Sequence, residues 1–289
     1  MRTLTFESLT RKYIHRAVTT CLTFILTLGL SQAQVRNYSL VYSDNIQGGT
    51  AIFGNTLMHI INSSSVNLTK MNGNSFNGNS VYGNDNENMQ YVDIDGNNGY
   101  GSATRNSSSS DLILPAGTNT IKLARLYWGG RVKDSDFDFA VDSNKVIKIR
   151  KGTSSAYSNV TSLGIDKIII STGYTEYQAY ADITALVKNN GAGTYEVANA
   201  PLSVGSISGG GNHGGWCIVV VYENSNMNYN SVRLYDGFQQ VYSNGNPLST
   251  TVTLTGLNVP SGTLAAGDAK MGVLSWEGDA NLTKDYLKI

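Results

Sequence analysis

Residues 209–240 read GGGNHGGWCIVVVYENSNMNYNSVRLYDGFQQ, and this stretch decides the fold class. A glycine-rich loop leads into the apolar run Trp216-Cys217-Ile218-Val219-Val220-Val221-Tyr222. The run is too short to cross a bilayer, which takes about 20 apolar residues in a helix. It is rich in β-branched and aromatic side chains and closes in a polar cluster at 223–230. That pattern predicts a strand buried on both faces. A second strand is predicted over 231–238, with Val232, Leu234 and Tyr235 as its apolar positions. This pair is the expected centre of an all-β domain.

Outward from that centre, short apolar runs alternate with turns. Strands are predicted over 38–42, 50–53, 56–61, 89–95, 111–114, 120–130, 167–170, 194–197 and 271–276. Two hairpins are predicted, one joining 137–141 to 145–149, the other joining 239–242 to 249–254 through Asn244-Gly245. Residues 71–88 are almost wholly Asn, Gly and Ser and read as a long surface loop. One short helix is expected over 181–188, stopped by Asn190-Gly191. Strands every ten to fifteen residues with almost no helix between them imply an antiparallel β-sandwich, jelly-roll-like, rather than a parallel sheet. The final residues, 286–289, alternate apolar and polar with no turn after them. They read as a cut inside a strand, so residues 34–289 are expected to be a single β-sandwich domain truncated at its C-terminal end.

The first 33 residues are read apart from the fold. Arg2, Arg11, Lys12 and Arg16 precede an apolar run from Ala17 to Leu30, and Ser31-Gln32-Ala33 has the small residues of a cleavage site. This is the pattern of a secretory signal peptide, 1–33. Without it, 17 basic and 20 acidic residues remain, a net charge of −3. A mildly acidic chain is a poor match for nucleic acid or for a polybasic membrane contact, both of which need clustered Lys and Arg. No later segment is apolar enough for a transmembrane helix. The chain after the leader keeps one cysteine, Cys217, so it has no intrachain disulfide, and stability must come from a core.

Few residues offer chemistry. The loop before Trp216 lacks the GxxxxGK[ST] spacing of a phosphate cradle and no helix follows it. Its ligand-binding reading rests on His213 and Trp216, with Trp128 as a third contact that could stack on a sugar. Each is equally explained by packing at the end of a strand. Cys217 reads as a buried structural thiol rather than a nucleophile paired with His213. No G-x-S-x-G elbow and no paired Cys/His spacing is present. Asp134, Asp136 and Asp138 are spaced two apart. In a loop they could hold calcium through hard oxygen ligands, and in a strand they would simply share a solvated face. Asp93 and Asp95, followed by Gly96-Asn97-Asn98, form a similar pair. No cofactor is expected otherwise.

Several strings together resemble a known family. Residues 124–130, ARLYWGG, are similar to its "A-x-LYW-(G/S)" strand, and 180–187, YADITALV, look like its "ADVTDLV" turn. Residues 193–199, GTYEVAN, resemble "GTYTVAN". Residues 214–223, GGWCIVVVYE, followed by 234–238, LYDGF, resemble "GGWSLVVVYE…LYDGF", and Glu277-Gly278-Asp279 resembles a late "EGD". The strings fall in order from about 120 to 280, and the stretches at 54–56 and 107–112 look like the Bacteroidetes version. The family is the N-terminal β domain of large secreted surface proteins, often followed by repeat domains. In flavobacteria a type IX sorting domain often follows. The resemblance implies a non-enzymatic, adhesin-like extracellular module, attached to the cell surface, and carries over no catalytic residues. Surface glycans or other surface proteins are the partners that fit. A calcium-dependent lectin-like domain is the alternative. A secreted hydrolase is a further one, and it would need His213 collected with carboxylates in a cleft.

Overall fold

A computed structural model describes residues 34–60, 88–96, 104–152, 155–171, 173–207, 211–241, 251–257, 265 and 267–277. The expected leader, nearly all of the 71–88 loop, residues 242–250 of the expected 239–254 hairpin and the chain end at 286–289 lie outside these; residues 251–254, expected as one arm of that hairpin, form no strand. In chain order the strands are β1 (Gln34–Thr56), β2 (Met58–Ile60), β3 (Met89–Tyr91), β4 (Ser107–Leu112), β5 (Thr120–Lys133), β6 (Val146–Lys151), β7 (Ser158–Thr161), β8 (Gly164–Ser171) and β9 (Tyr174–Asp182). The helix α1 (Thr184–Asn190) follows, then β10 (Gly193–Ala198), β11 (Gly214–Glu223) and β12 (Tyr229–Gln239). The fold is an all-β sandwich with antiparallel sheets and one short α-helix.

The large sheet has the order β12-β1-β11-β5-β9-β8, and the smaller one β4-β10-β6-β7. Between them lies the main core. Alternation along each strand sends every second side chain inward. From the large sheet come Phe53, Leu126, Trp128, Tyr177, Trp216, Ile218 and Val220; from the small one Leu112, Ile147, Ile149, Tyr195 and Val197. β11 is buried along nine of its ten residues, as its unbroken apolar run demands.

The opposite face of β11 explains why alternation is missing from its sequence. Cys217 and Val219 pack there with Tyr127, and Leu234 of β12 packs over them. β12 reaches this position because β1 is shared. Residues of β1 up to Gln47 pair with β12, while those from Gly48 onward pair with β11. The first half of β1 and β12 thus form a ribbon that lies over the outer face of the large sheet. Arg36 at its far end meets Asp166 on β8, and Gln178 on β9 donates to Gly237 O on β12. Residues 271–277 cross the same face. A Cβ added to Gly272 would lie 2.3 Å from Ile52 Cδ1, Leu274 packs on the Tyr127–Cys217 cluster, and Trp276 lies over Gly129.

Several expectations are corrected. β11 and β12 are not neighbours, because β1 inserts between them. Residues 38–42 and 50–53 belong to one strand of 23 residues. Residues 137–141 form turns rather than a hairpin arm, with Phe137 and Phe139 plugged into the core. The helix starts at Thr184, since Ala181 and Asp182 still pair with β5. Residues 271–276, expected as a strand, pair with no strand among the described residues, and the chain bends at Trp276. β4 begins at Ser107, and four consecutive serines there are buried, which an apolar-run reading passes over.

Candidate functional site

The outer face of the large sheet collects the side chains with the most chemistry. In β9, Glu176, Gln178 and Tyr180 alternate with the core residues Tyr177, Ala179 and Ala181, so they share that face. The β5–β9 register sets Arg131 opposite Glu176, Gly129 opposite Gln178 and Tyr127 opposite Tyr180. Three contacts follow directly from this register.

At one end, Glu176 Oε1 accepts from Arg131 Nε at 2.9 Å and Nη2 at 2.7 Å, while Arg131 Nη1 donates to Gly211 O. His213 arrives from the glycine loop, with Nε2 3.0 Å from Glu176 Oε2, and its Nδ1 has no hydrogen-bond partner among the described residues. Burial pushes the Glu176 carboxyl up, but His213 and Arg131 outweigh it and hold it below the usual carboxylate range. Next along the strand, Trp276 Nε1 donates to Gln178 Oε1 at 3.0 Å. A Cβ at Gly129 would meet the Trp276 ring at 3.1 Å, so glycine there makes the seat for the indole.

Deeper under the ribbon, Asp236 of β12 takes Arg36 Nη2 at 2.6 Å and Arg125 Nη2 at 3.0 Å. Arg36 Nε also reaches Asp166 at 2.9 Å. The two guanidinium groups lie over the Tyr180 ring at 4.6 and 4.9 Å from its centroid. These groups tie β1, β5, β8, β9 and β12 together.

A second polar cluster covers the outer face of the small sheet. Glu196 is fully buried and accepts Arg150 Nη2 at 2.8 and 2.9 Å. The Tyr157 hydroxyl bonds Glu196 and also lies 3.0 Å from Asp95 Oδ2. Thr104 Oγ1 donates to the same Asp95 carboxyl, and Ser107 Oγ donates to Asp93 Oδ1. Burial first, and then the neighbouring Asp95 carboxyl, push Asp93 up to about 6.

The six residues singled out from sequence are not brought together. Trp128 and Trp216 are 0% and 2% exposed, between the sheets, and Trp216 Nε1 donates to Ser108 Oγ. His213 faces the other side of the large sheet. Asp134, Asp136 and Asp138 lie in the turn after β5, each with its own protein donor: Thr175 Oγ1, Ser203 Oγ and the Ala140 N–H. Among the described residues no group of three or more His, Cys, Asp or Glu side chains gathers as a metal set. Cys217 pairs with Tyr127, three positions along the ladder from the Gly214–Gly130 pair beside His213. At the strand rise that is about 10 Å, too far for a thiol–imidazole pair. Burial pushes the Cys217 thiol up to about 12.

Glu176, Arg131, Asp236, Arg36 and Glu196 carry the strongest contacts, and sequence reading missed them. Their partners stand 45 to 200 residues apart. The available signal was the polar alternation in YTEYQAYAD, which marks one face of β9 as non-core. No helix among the described residues is long and apolar enough to cross a membrane. No family model, curated protein or solved structure matches this chain.

Proposed function

We propose that this chain is a non-enzymatic extracellular module of a secreted, surface-attached, adhesin-like protein. One observation carries the reading: the reactive side chains are spent on internal ties. The His213 side chain is 10% exposed, and both oxygens of its partner Glu176 are engaged by Arg131 and the imidazole. The Cys217 thiol is buried and hard to ionise. What remains at the surface is a rigid β framework, suited to displaying or spacing other groups. The leader-like first 33 residues and the resemblance to N-terminal domains of type IX secreted Bacteroidetes proteins support the same reading. The natural partners are then surface glycans or other surface proteins, with no resident cofactor.

Antibodies raised against the purified domain should label intact producing cells or their culture medium. Labelling that appears only after lysis overturns the localisation. Turnover of ester, peptide or glycoside substrates that disappears in His213→Ala overturns the non-enzymatic reading, because the His213–Glu176 pair is the arrangement on which a hydrolase would draw. A glycan array probed with and without chelator tests the lectin alternative. Chelator-sensitive binding that Asp134→Asn or Asp136→Asn removes would assign calcium to that turn.

A further inference from the structure

The large sheet runs from β12 to β8, but β12 pairs with β1 only up to Gln47, so the second half of β1 is a local edge opposite the one at β8. The Asn224 N–H donates to Gln47 O and the Leu57 N–H to Gly214 O, so odd-numbered residues of β1 face β11. Alternation turns the backbone groups of Thr50, Ile52 and Gly54 away from it. No described strand pairs with them there. Beside this edge, between β1 and β4, opens a groove of about 470 Å³, lined by Ala51, Phe53, Leu112, Leu114 and Asp111 among others. Ile52 and Ile113 at its rim are 47% and 72% exposed.

The far edge is its counterpart. The Asp134 N–H donates to Gly173 O, so odd residues of β9 face β5 and even ones face β8. The β8 partners of those even residues are Gly164, Asp166 and Ile168. The N–H and C=O groups of Ile165, Lys167 and Ile169 therefore point outward. Ile169 is 74% exposed, Leu163 67%, and Lys167 is exposed beside them. A long apolar edge strand without proline is a ready site for strand addition.

We infer that β8 of a second copy of this chain docks at the β1 edge, so that copies join head to tail. Each sheet pairing from β1 through β11, β5 and β9 to β8 is antiparallel, so β1 and β8 run in the same direction. A second copy displaced along the sheet sets its β8 parallel to β1 with inner faces matched. The inner-face side chains Ile169 and Lys167 then enter the groove, Ile169 against Phe53 and Leu112, Lys167 toward Asp111. Apolar meets apolar, and the single basic side chain adds a cation beside the single carboxylate of the lining, Asp111, which already accepts from Thr194 Oγ1. The contact is heterologous, and such contacts give chains of copies rather than closed dimers.

Proline at an outward-facing edge position removes one external donor and leaves the internal ladder intact. Ile52→Pro therefore blocks the groove side and Ile169→Pro the strand side. Sedimentation velocity over a concentration series on residues 34–289 should show wild-type species of two or more copies, and each variant alone as a monomer. An equal mixture of the two variants should form a dimer and stop there, since one intact edge of each remains. A wild type that stays monomeric throughout overturns the inference. So does an Ile52→Pro variant that still self-associates, which would mean β8 pairs with β8, or a mixture that yields no dimer. Should either proline variant lose the wild-type near-ultraviolet dichroism, Ile113→Lys and Ile169→Lys replace them with the same outcomes, because they leave the backbone unchanged.

Discussion

Asp236 joins two arginines from different strands. It is 3% exposed and receives both Arg36 and Arg125, whose guanidinium groups flank the Tyr180 ring. Removing it leaves Arg125, with a side chain only 13% exposed, without its counter-charge. Breaking one partner of a buried pair is costly because the other charge stays desolvated. Asp236→Ala should lower the free energy of urea unfolding by about 3 kcal/mol, whereas Lys122→Ala, in an exposed pair with Glu223, should change it by under about 1 kcal/mol. Asp93 works in the opposite sense. It faces Asp95, with Ser107 alongside and Tyr157, Glu196 and Arg150 beyond. Its folded value, about 6, lies above the ordinary 3.8. The folded chain therefore holds this proton more tightly than the unfolded chain. The stability it contributes is complete below about pH 4 and is lost as pH rises to about 6. Asp93→Asn should flatten that decline and raise stability at pH 7 by about 1 kcal/mol after allowance for solvent screening. A thermal melt series from pH 4 to 8 that shows identical slopes for the two proteins would contradict the assignment.

Between strands, β1 leaves no room for a Cβ against β11 at two glycines. A Cβ on Gly54 would lie 2.1 Å from Trp216 O and 2.8 Å from Cys217 Cα, and one on Gly48 would lie 2.0 Å from Tyr222 O. These neighbours are backbone atoms, which have no rotamer to change. Gly54→Ala must therefore push the two strands apart, at a cost of about 3 kcal/mol. Gly49→Ala, whose new methyl meets Met227 Cε at 3.5 Å, is an internal control and should cost under about 0.5 kcal/mol. Equal midpoints in guanidinium unfolding for the two variants would show that the close approach is not real. The same element accounts for the bend in the sheet. β1 changes partner at Gln47/Gly48, and its first half leaves the sheet to ride over it with β12.

At the scale of the whole molecule, three layers cover two cores. The small sheet seals the inner face of the large one, and the β1–β12 ribbon with residues 271–277 seals the outer face around Tyr127, Cys217 and Val219. Cys217 reports on that outer seal. In the native protein it should react negligibly with a thiol reagent such as dithiobis-nitrobenzoate, and fully once unfolded. Truncation before residue 271 should open it, since Leu274 and Trp276 are then gone. Fast labelling of the intact native protein would show that the ribbon does not cover the sheet.

The local pattern of the chain was enough for the all-β class, the central place of β11, the strand at β5 and the short helix near 184. Each depends on which side chains recur at a short period, and a buried strand between two layers has to be apolar on both faces. The same logic could not show that β12 lies across β1 from β11, because strand order is set by contacts between residues far apart in sequence. Trp128 and Trp216 looked equally suited to a core or to a ligand platform, and the second sheet packed over them decided for the core. His213 was visible as a lone histidine, but Glu176 and Arg131 reached it only when β5, β9 and the glycine loop came together. Composition and spacing fix what each segment can bury. Which charges meet, and so which side chains are left free to act, is decided by the tertiary structure, since a buried charge is stable only where another strand brings its partner.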